Sequence, residues 1–257
     1  MILVCDVGNT ETTLGVYEGE TLRGHWRVMT GVPRTADEFG VLLRQLLVDE
    51  GINPTQIAGA AIASVVPRIT APLTAACVAW LKKKPVILVD ARSKLPITLD
   101  VEEPLTVGAD RVVNTLAASK LFAKDAIVVD MGTATTFDCI TGDGVFLGGV
   151  IAPGVLTMAE SLVMRTSKLP ATELILPQRV IGRRTEECIR SGVMYGAADA
   201  IDGLVRRIKA EWPRKSTPTV IATGGLAETF QPLCREFNSV DPYLTLRGLQ
   251  IAFDLLK

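Results

Sequence analysis

The sequence predicts an α/β protein built from two similar lobes, and three observations carry that prediction. LVCDVGNTETT at 3–13 and IVVDMGTATT at 127–136 are one pattern used twice. In each, a short apolar strand runs into an aspartate, then a glycine, then a cluster of hydroxyls, so that Asp6 matches Asp130 and Gly8 matches Gly132 at an offset of 124 residues. Each copy then continues into a β-hairpin with a glycine-containing turn, Glu18-Gly19-Glu20 in one and Gly142-Asp143-Gly144 in the other. Behind each hairpin, helical patterns alternate with short buried strands. An internal repeat on this scale implies two lobes of duplicated topology, which we draw at 1–117 and 118–257.

Taken in order, Ile2–Cys5 reads as a buried strand, Thr12–Tyr17 as its hairpin partner and Leu22–Val28 as a third strand. Thr35 followed by Glu38 is a capping box, and Phe39, Leu42, Leu43, Leu46 and Leu47 behind it keep helical spacing. A small-residue strand over 57–66 stops at Pro67, a helix is expected over 69–82, and Pro85–Val89 is a strand. The helix at 107–122 turns Val112, Val113, Leu116 and Leu121 inward. The pattern then restarts with strands at Ala126–Val129, Thr136–Ile140 and Val145–Val150 and helices over 154–165, 185–193 and 196–211. Thr219–Ala222 is a strand that ends in Thr223-Gly224-Gly225, and a helix at about 245–256 closes the chain.

Composition removes several classes of function. A chain of 257 residues with 48% hydrophobic content can bury a sizeable core. With 27 basic and 28 acidic residues the net charge is −1, which argues against a nucleic-acid surface or a polybasic membrane patch. Five cysteines without a Cys-x-x-Cys spacing, and a single histidine, His25, give no support to a disulfide framework, a zinc site or a histidine triad. The start MILVCD lacks the basic and long apolar stretches of a signal peptide, and no apolar run reaches membrane-spanning length. A cytoplasmic protein is expected.

The duplicated motif suggests its own chemistry. A carboxylate at the carboxyl end of a central strand stands where α/β sheets bind ligands. The glycine after it lets backbone approach a ligand closely. The hydroxyls of Thr10, Thr12 and Thr13, or of Thr133, Thr135 and Thr136, together with exposed N–H groups, suit phosphate oxygens. The carboxylate repels phosphate, so its use is to hold a cation that bridges to it. Neither GxxxxGK[ST] nor GxGxxG after a strand occurs, which disfavours P-loop and Rossmann binding. Thr223-Gly224-Gly225 is either a tight strand-to-helix turn or a flat seat for a base or ribose. Gly108-Ala109-Asp110-Arg111 opens a helix. Asp110 could take a proton and Arg111 could hold an anion, but an ordinary surface ion pair in a first helical turn fits the same spacing.

DVGNT at 6–10, GADR at 108–111, DMGTATT at 130–136, GGVIAPG at 148–154 and TGG at 223–225 together resemble, in identity and order, the type III pantothenate kinases over the full length of the chain. The resemblance implies two ribonuclease-H-like lobes of the actin/sugar-kinase/Hsp70 type and ATP-dependent phosphorylation of pantothenate on the way to coenzyme A. It also implies a homodimer, Mg²⁺ and a monovalent cation, K⁺ or NH₄⁺. By position, Asp6, Val7, Gly8, Asn9, Thr10, Glu11, Thr12 and Thr13 would form the first ATP loop, and Gly132, Thr133, Gly224 and Gly225 would also meet ATP. Gly108, Ala109, Asp110, Arg111 and Thr185 would bind pantothenate, with Asp110 as proton acceptor, and Asp130 would hold the monovalent cation. Glu11 departs from the Asn usual there, Val101 from a common Tyr, and Glu103 and Thr106 from an Asn-Pro-x-Glu run. These departures keep a non-catalytic or regulatory paralogue that binds nucleotide and a related ligand as the alternative. A phosphohydrolase on the same scaffold is a further rival.

Overall fold

The computed structural model describes all 257 residues. The chain divides into two compact units. One comprises residues 1–121, 144–146 and 244–257, the other 122–143 and 147–243.

In the first unit, β1 (Ile2–Val7), β2 (Glu11–Glu18) and β3 (Thr21–Met29) form an antiparallel meander, and β4 (Ala60–Ser64) and β5 (Val86–Val89) add in parallel, giving the order β3-β2-β1-β4-β5. Alternation along β1 sends Leu3, Cys5 and Val7 to one face. There α1 (Ala36–Asp49) applies Phe39, Leu43 and Leu47, and α2 (Pro67–Leu81) applies Ile69, Leu73 and Cys77. The capping box forms in full. Glu38 N donates to Thr35 Oγ1 at 3.3 Å and Thr35 N to the Glu38 carboxylate at 2.7 Å. After β6 (Thr98–Leu99), α3 (Ala109–Phe122) buries Val112, Val113 and Leu116. Leu121 was expected inward as well, but it sits in the last turn and is exposed.

The closing helix α7 (Leu244–Leu256) belongs to this unit because small residues let it come close. A Cβ on Gly248 would lie 2.4 Å from the Val113 carbonyl oxygen, and one on Gly59 would lie 2.4 Å from the Phe253 ring. Thr245 Oγ1 also donates to the buried Asn114 Oδ1 at 2.9 Å.

The second unit repeats the plan. β7 (Ala126–Met131) pairs antiparallel with β8 (Ala134–Ile140), β9 (Val145–Pro153) follows, and β10 (Thr219–Thr223) and β11 (Ser239–Val240) add in parallel. The order β11-β10-β7-β8-β9 is the first sheet's order read from its other edge. Val145 and Phe146, at the start of β9, group with the first unit and pair with β6. α4 (Val155–Arg165) leads to α5 (Thr185–Ala210), and a four-residue helix, α6 (Ala227–Phe230), follows β10. Two helices were expected over 185–211, yet α5 is a single helix of 26 residues. Gly192 and Gly196 do not break it, because Ile189, Val193, Ala197, Ile201 and Val205 form one continuous buried face over Ile127, Val129 and Phe137. No helix is long and apolar enough to cross a membrane.

Candidate active site

The first-unit loop is a hairpin tip. Gly8 N donates to the Glu11 carbonyl at 3.0 Å, and a Cβ on Gly8 would stand 3.0 Å from that same oxygen. Asn9, Thr10 and Glu11 are exposed, and Thr13 is half-buried. Thr12 is turned inward. It is buried, and its hydroxyl is 2.9 Å from that of Thr30. Val7 is fully buried, so any contact it makes with a ligand is through backbone.

The same unit brings GADR next to this loop. The Val7 carbonyl accepts from Val65 N at 3.1 Å, and Val65 Cγ1 stands 3.5 Å from where a Gly108 Cβ would be. Asp110 folds back over Gly108, and a Cβ there would be 2.4 Å from Asp110 Oδ1. A side chain at 108 would therefore displace the Asp110 carboxylate from this place. Ala109 is buried at the helix start. Burial raises the Asp110 carboxyl above its ordinary 3.8, against the opposing pull of the Arg111 N–H, which donates to Oδ1 at 2.8 Å, and of the Arg111 charge. A more basic carboxylate is what a proton acceptor needs. The Arg111 guanidinium lies over the Phe146 ring, 5.0 Å from its centroid, which fixes its direction.

In the second unit the loop is braced from behind. Gly132 N donates to the Ala134 carbonyl at 3.1 Å, and Gly132 and Thr133 are exposed. Gly154 N and Thr157 Oγ1 both donate to the Thr133 carbonyl, at 3.1 and 2.7 Å. A Cβ on Gly154 would come within 2.3 Å of that oxygen. The APG run thus ends β9 and clamps the loop, a role the sequence reading assigned to neither Gly154 nor Thr157. The signal was the glycine directly before α4.

Asp130 ends β7, and its Oδ1 would be 2.6 Å from a Cβ on Gly224, whose φ is +89°. Gly224 therefore needs both the left-handed backbone and the missing side chain. Gly225 is exposed beside it. No group of three or more His, Cys, Asp and Glu is placed to hold a metal ion. Asp130 stands in register with Thr136 on β8 and Thr223 on β10, and oxygen donors of this kind fit an alkali cation better than a transition metal. Thr185 opens α5 and is exposed; it belongs to the second unit, whereas Gly108–Arg111 belong to the first. Val101 is half-buried after β6, and Glu103 and Thr106 are exposed, tied by Thr106 Oγ1 donating to the Glu103 carbonyl at 2.8 Å.

Two units of one topology, each with an Asp-x-Gly hairpin at its first strand, define a protein of the actin/sugar-kinase/Hsp70 type. A hexokinase of the ROK group from Thermus thermophilus is similar over 100% of this chain and 99% of its own, with a TM-score of 0.51 at 14% identity. A conserved candidate transcriptional activator of the Baf family from Campylobacter jejuni is similar over 99% and 98%, with a TM-score of 0.62 at 18% identity. At such identities these likenesses show the fold alone. The family model of type III pantothenate kinase matches residues 2–207. A type III pantothenate kinase of Anaeromyxobacter dehalogenans (strain 2CP-C) is 45% identical over 251 residues, 98% of both chains. The chain belongs to the type III pantothenate kinase family, a family of kinases.

The environment of Asp110 yields a stability prediction. A carboxyl whose folded pKa is raised contributes stability that is complete below its ordinary 3.8 and is lost as pH rises through the folded value. Above that folded value the ionised Asp110 is therefore a burden on the fold. Asp110→Asn keeps an acceptor for the Arg111 N–H and should melt at or above the wild-type temperature at pH 7, with its advantage shrinking as pH falls toward 4. Thermal unfolding followed by circular dichroism across that range checks this. A variant several degrees less stable at pH 7 would contradict it.

Proposed function

We propose that the chain catalyses ATP-dependent phosphorylation of pantothenate to 4′-phosphopantothenate, the first committed step of coenzyme A biosynthesis. Family membership supports the kinase reading over a paralogue without turnover. Among the geometric features one carries it, the half-buried Asp110 carboxylate, its basicity raised, held over Gly108 beside Arg111.

In this reading Arg111 holds the pantothenate carboxylate, with Gly108, Ala109 and Thr185 completing the substrate's surroundings. Asp110 accepts the proton of the primary hydroxyl. The freed oxygen attacks the γ-phosphorus in line, the bond from that phosphorus to the β,γ-bridging oxygen breaks, and ADP departs with the electron pair. Positioning and charge neutralisation do most of the work in such transfers. The backbone N–H groups and hydroxyls of residues 6–13, chiefly Thr10 and Thr13 since Thr12 is turned inward, bond phosphate oxygens. Gly132 and Thr133 do the same from the second unit, and Gly224 and Gly225 leave room for the nucleoside. Asp130 holds K⁺ or NH₄⁺. Mg²⁺, when bound, supplies further neutralisation of the phosphate charge.

We also propose a homodimer working in the cytoplasm. Support comes from an apolar groove of about 500 Å³ in the second unit, between α4 and α5, lined by Pro153, Met158, Leu162, Ile189 and Val193. Nearby, Met164 is 84% exposed and Ile181 82%. Exposed apolar area of this kind marks an interaction surface, which a second copy of the chain would cover. Sedimentation equilibrium at micromolar concentration should give twice the chain mass, and a single-chain mass would overturn the dimer.

The proposed base is tested by rate. Asp110→Asn should lower kcat by about 10² to 10⁴, the usual worth of general-base catalysis, while circular dichroism stays unchanged. A variant that keeps more than half the wild-type kcat would remove Asp110 from that role.

A further inference from the structure

Thr223 has no part in the assignments above. Its side chain is 1% exposed, and its hydroxyl has no hydrogen-bond partner in the chain. Buried hydroxyls are normally satisfied, and one that is not marks a place where a water or an ion belongs.

Its position says which. Thr223 is the last residue of β10 and stands in register with Asp130 on the parallel strand β7. Asp130 is in turn paired with Thr136 on β8. Residues in register on neighbouring strands project to the same face, about 5 Å apart. Across the carboxyl end of this sheet, two hydroxyls thus flank one carboxylate. The next residue, Gly224, has no side chain to fill the space, because the Asp130 carboxylate lies against its backbone. The set is made of oxygen, and no group of three or more carboxylate, imidazole or thiol side chains gathers as it would around a resident divalent or transition ion.

We propose that Thr223 Oγ1 is a ligand of the monovalent cation held by Asp130. The inference rests on the reading of Asp130 as that cation's carboxylate. The buried hydroxyl offers a lone pair at a fixed place, and it reaches its full complement of partners only when the ion is present.

The test is thermal unfolding against K⁺ concentration, with choline replacing K⁺ at constant ionic strength, for the wild type, Thr223→Val, Thr223→Ser and Asp130→Asn. A ligand that binds only the folded state raises Tm in a saturable way. The wild type should show such a rise and Asp130→Asn should not. Thr223→Val keeps the shape and removes the hydroxyl. In choline alone it should melt at or above the wild type, since an unsatisfied buried hydroxyl is gone. Its half-saturating K⁺ should rise by about tenfold or more, a change of about 1.4 kcal/mol. Thr223→Ser should stay within about threefold of the wild type, because it keeps the ligand atom.

This crossing of the Val and wild-type curves is not expected of a packing role. If Thr223→Val shows the wild-type K⁺ midpoint, or loses the same stability with and without K⁺, the Thr223 inference is overturned and the Asp130 site stands. If the wild type itself does not respond to K⁺, both are overturned. Should Thr223→Val fail to fold, Thr223→Ala takes its place with the same criteria.

Discussion

Two carboxylate oxygens in this protein occupy space that a side chain would otherwise fill. Asp110 Oδ1 lies 2.4 Å from the place of a Gly108 Cβ, and Asp130 Oδ1 lies 2.6 Å from that of Gly224. Carbon–oxygen contacts are not so short, so a side chain at either glycine would push the carboxylate out of its place. The dependence also runs the other way. A carboxylate pressed on bare backbone is shielded from water on one side, and for Asp110 burial raises the proton affinity. The same packing that forbids a side chain thus tunes the group proposed to act as base.

The rest of the molecule holds these contacts in register. In the first unit, β1 passes its Val7 carbonyl to Val65, and Val65 in turn packs beside Gly108. The hairpin loop and the base are thereby set by one rigid strand pair, not by two independent loops. In the second unit, β7 carries Asp130 and β10 carries Gly224, and their parallel pairing fixes the carboxylate against the glycine. The Thr133 carbonyl, held by both Gly154 N and Thr157 Oγ1, keeps the neighbouring loop from relaxing away. Duplicated topology gives each unit a first strand flanked by strands on both sides, which holds the polar group at its end in a fixed place.

Much of this was legible in the sequence. The repeat of Asp-x-Gly at matching places foretold two sheets of one plan, and the capping box at Thr35 and the hairpin turns fell where local chemistry put them. Three features were not legible. The unbroken α5 depends on a buried face that outweighs two helix-weakening glycines, which local propensity cannot show. Thr12 looked equivalent to its neighbouring hydroxyls, and only strand alternation in the folded sheet turns it toward Thr30. The glycines of APG and TGG read as turn formers, yet each meets a polar atom from a distant part of the chain, Thr133 and Asp130 respectively, an influence that spacing along the chain does not record.

The central claim is that a phosphoryl group passes from ATP to the primary hydroxyl of pantothenate. It is tested most directly by following ATP, pantothenate and the purified chain in K⁺ and Mg²⁺ by phosphorus NMR. The account predicts one new phosphomonoester signal that grows in step with ADP and vanishes when pantothenate is left out. Release of inorganic phosphate at the same rate with or without pantothenate would contradict it in favour of a hydrolase, and an unchanged ATP spectrum would contradict it in favour of a protein that binds without turnover.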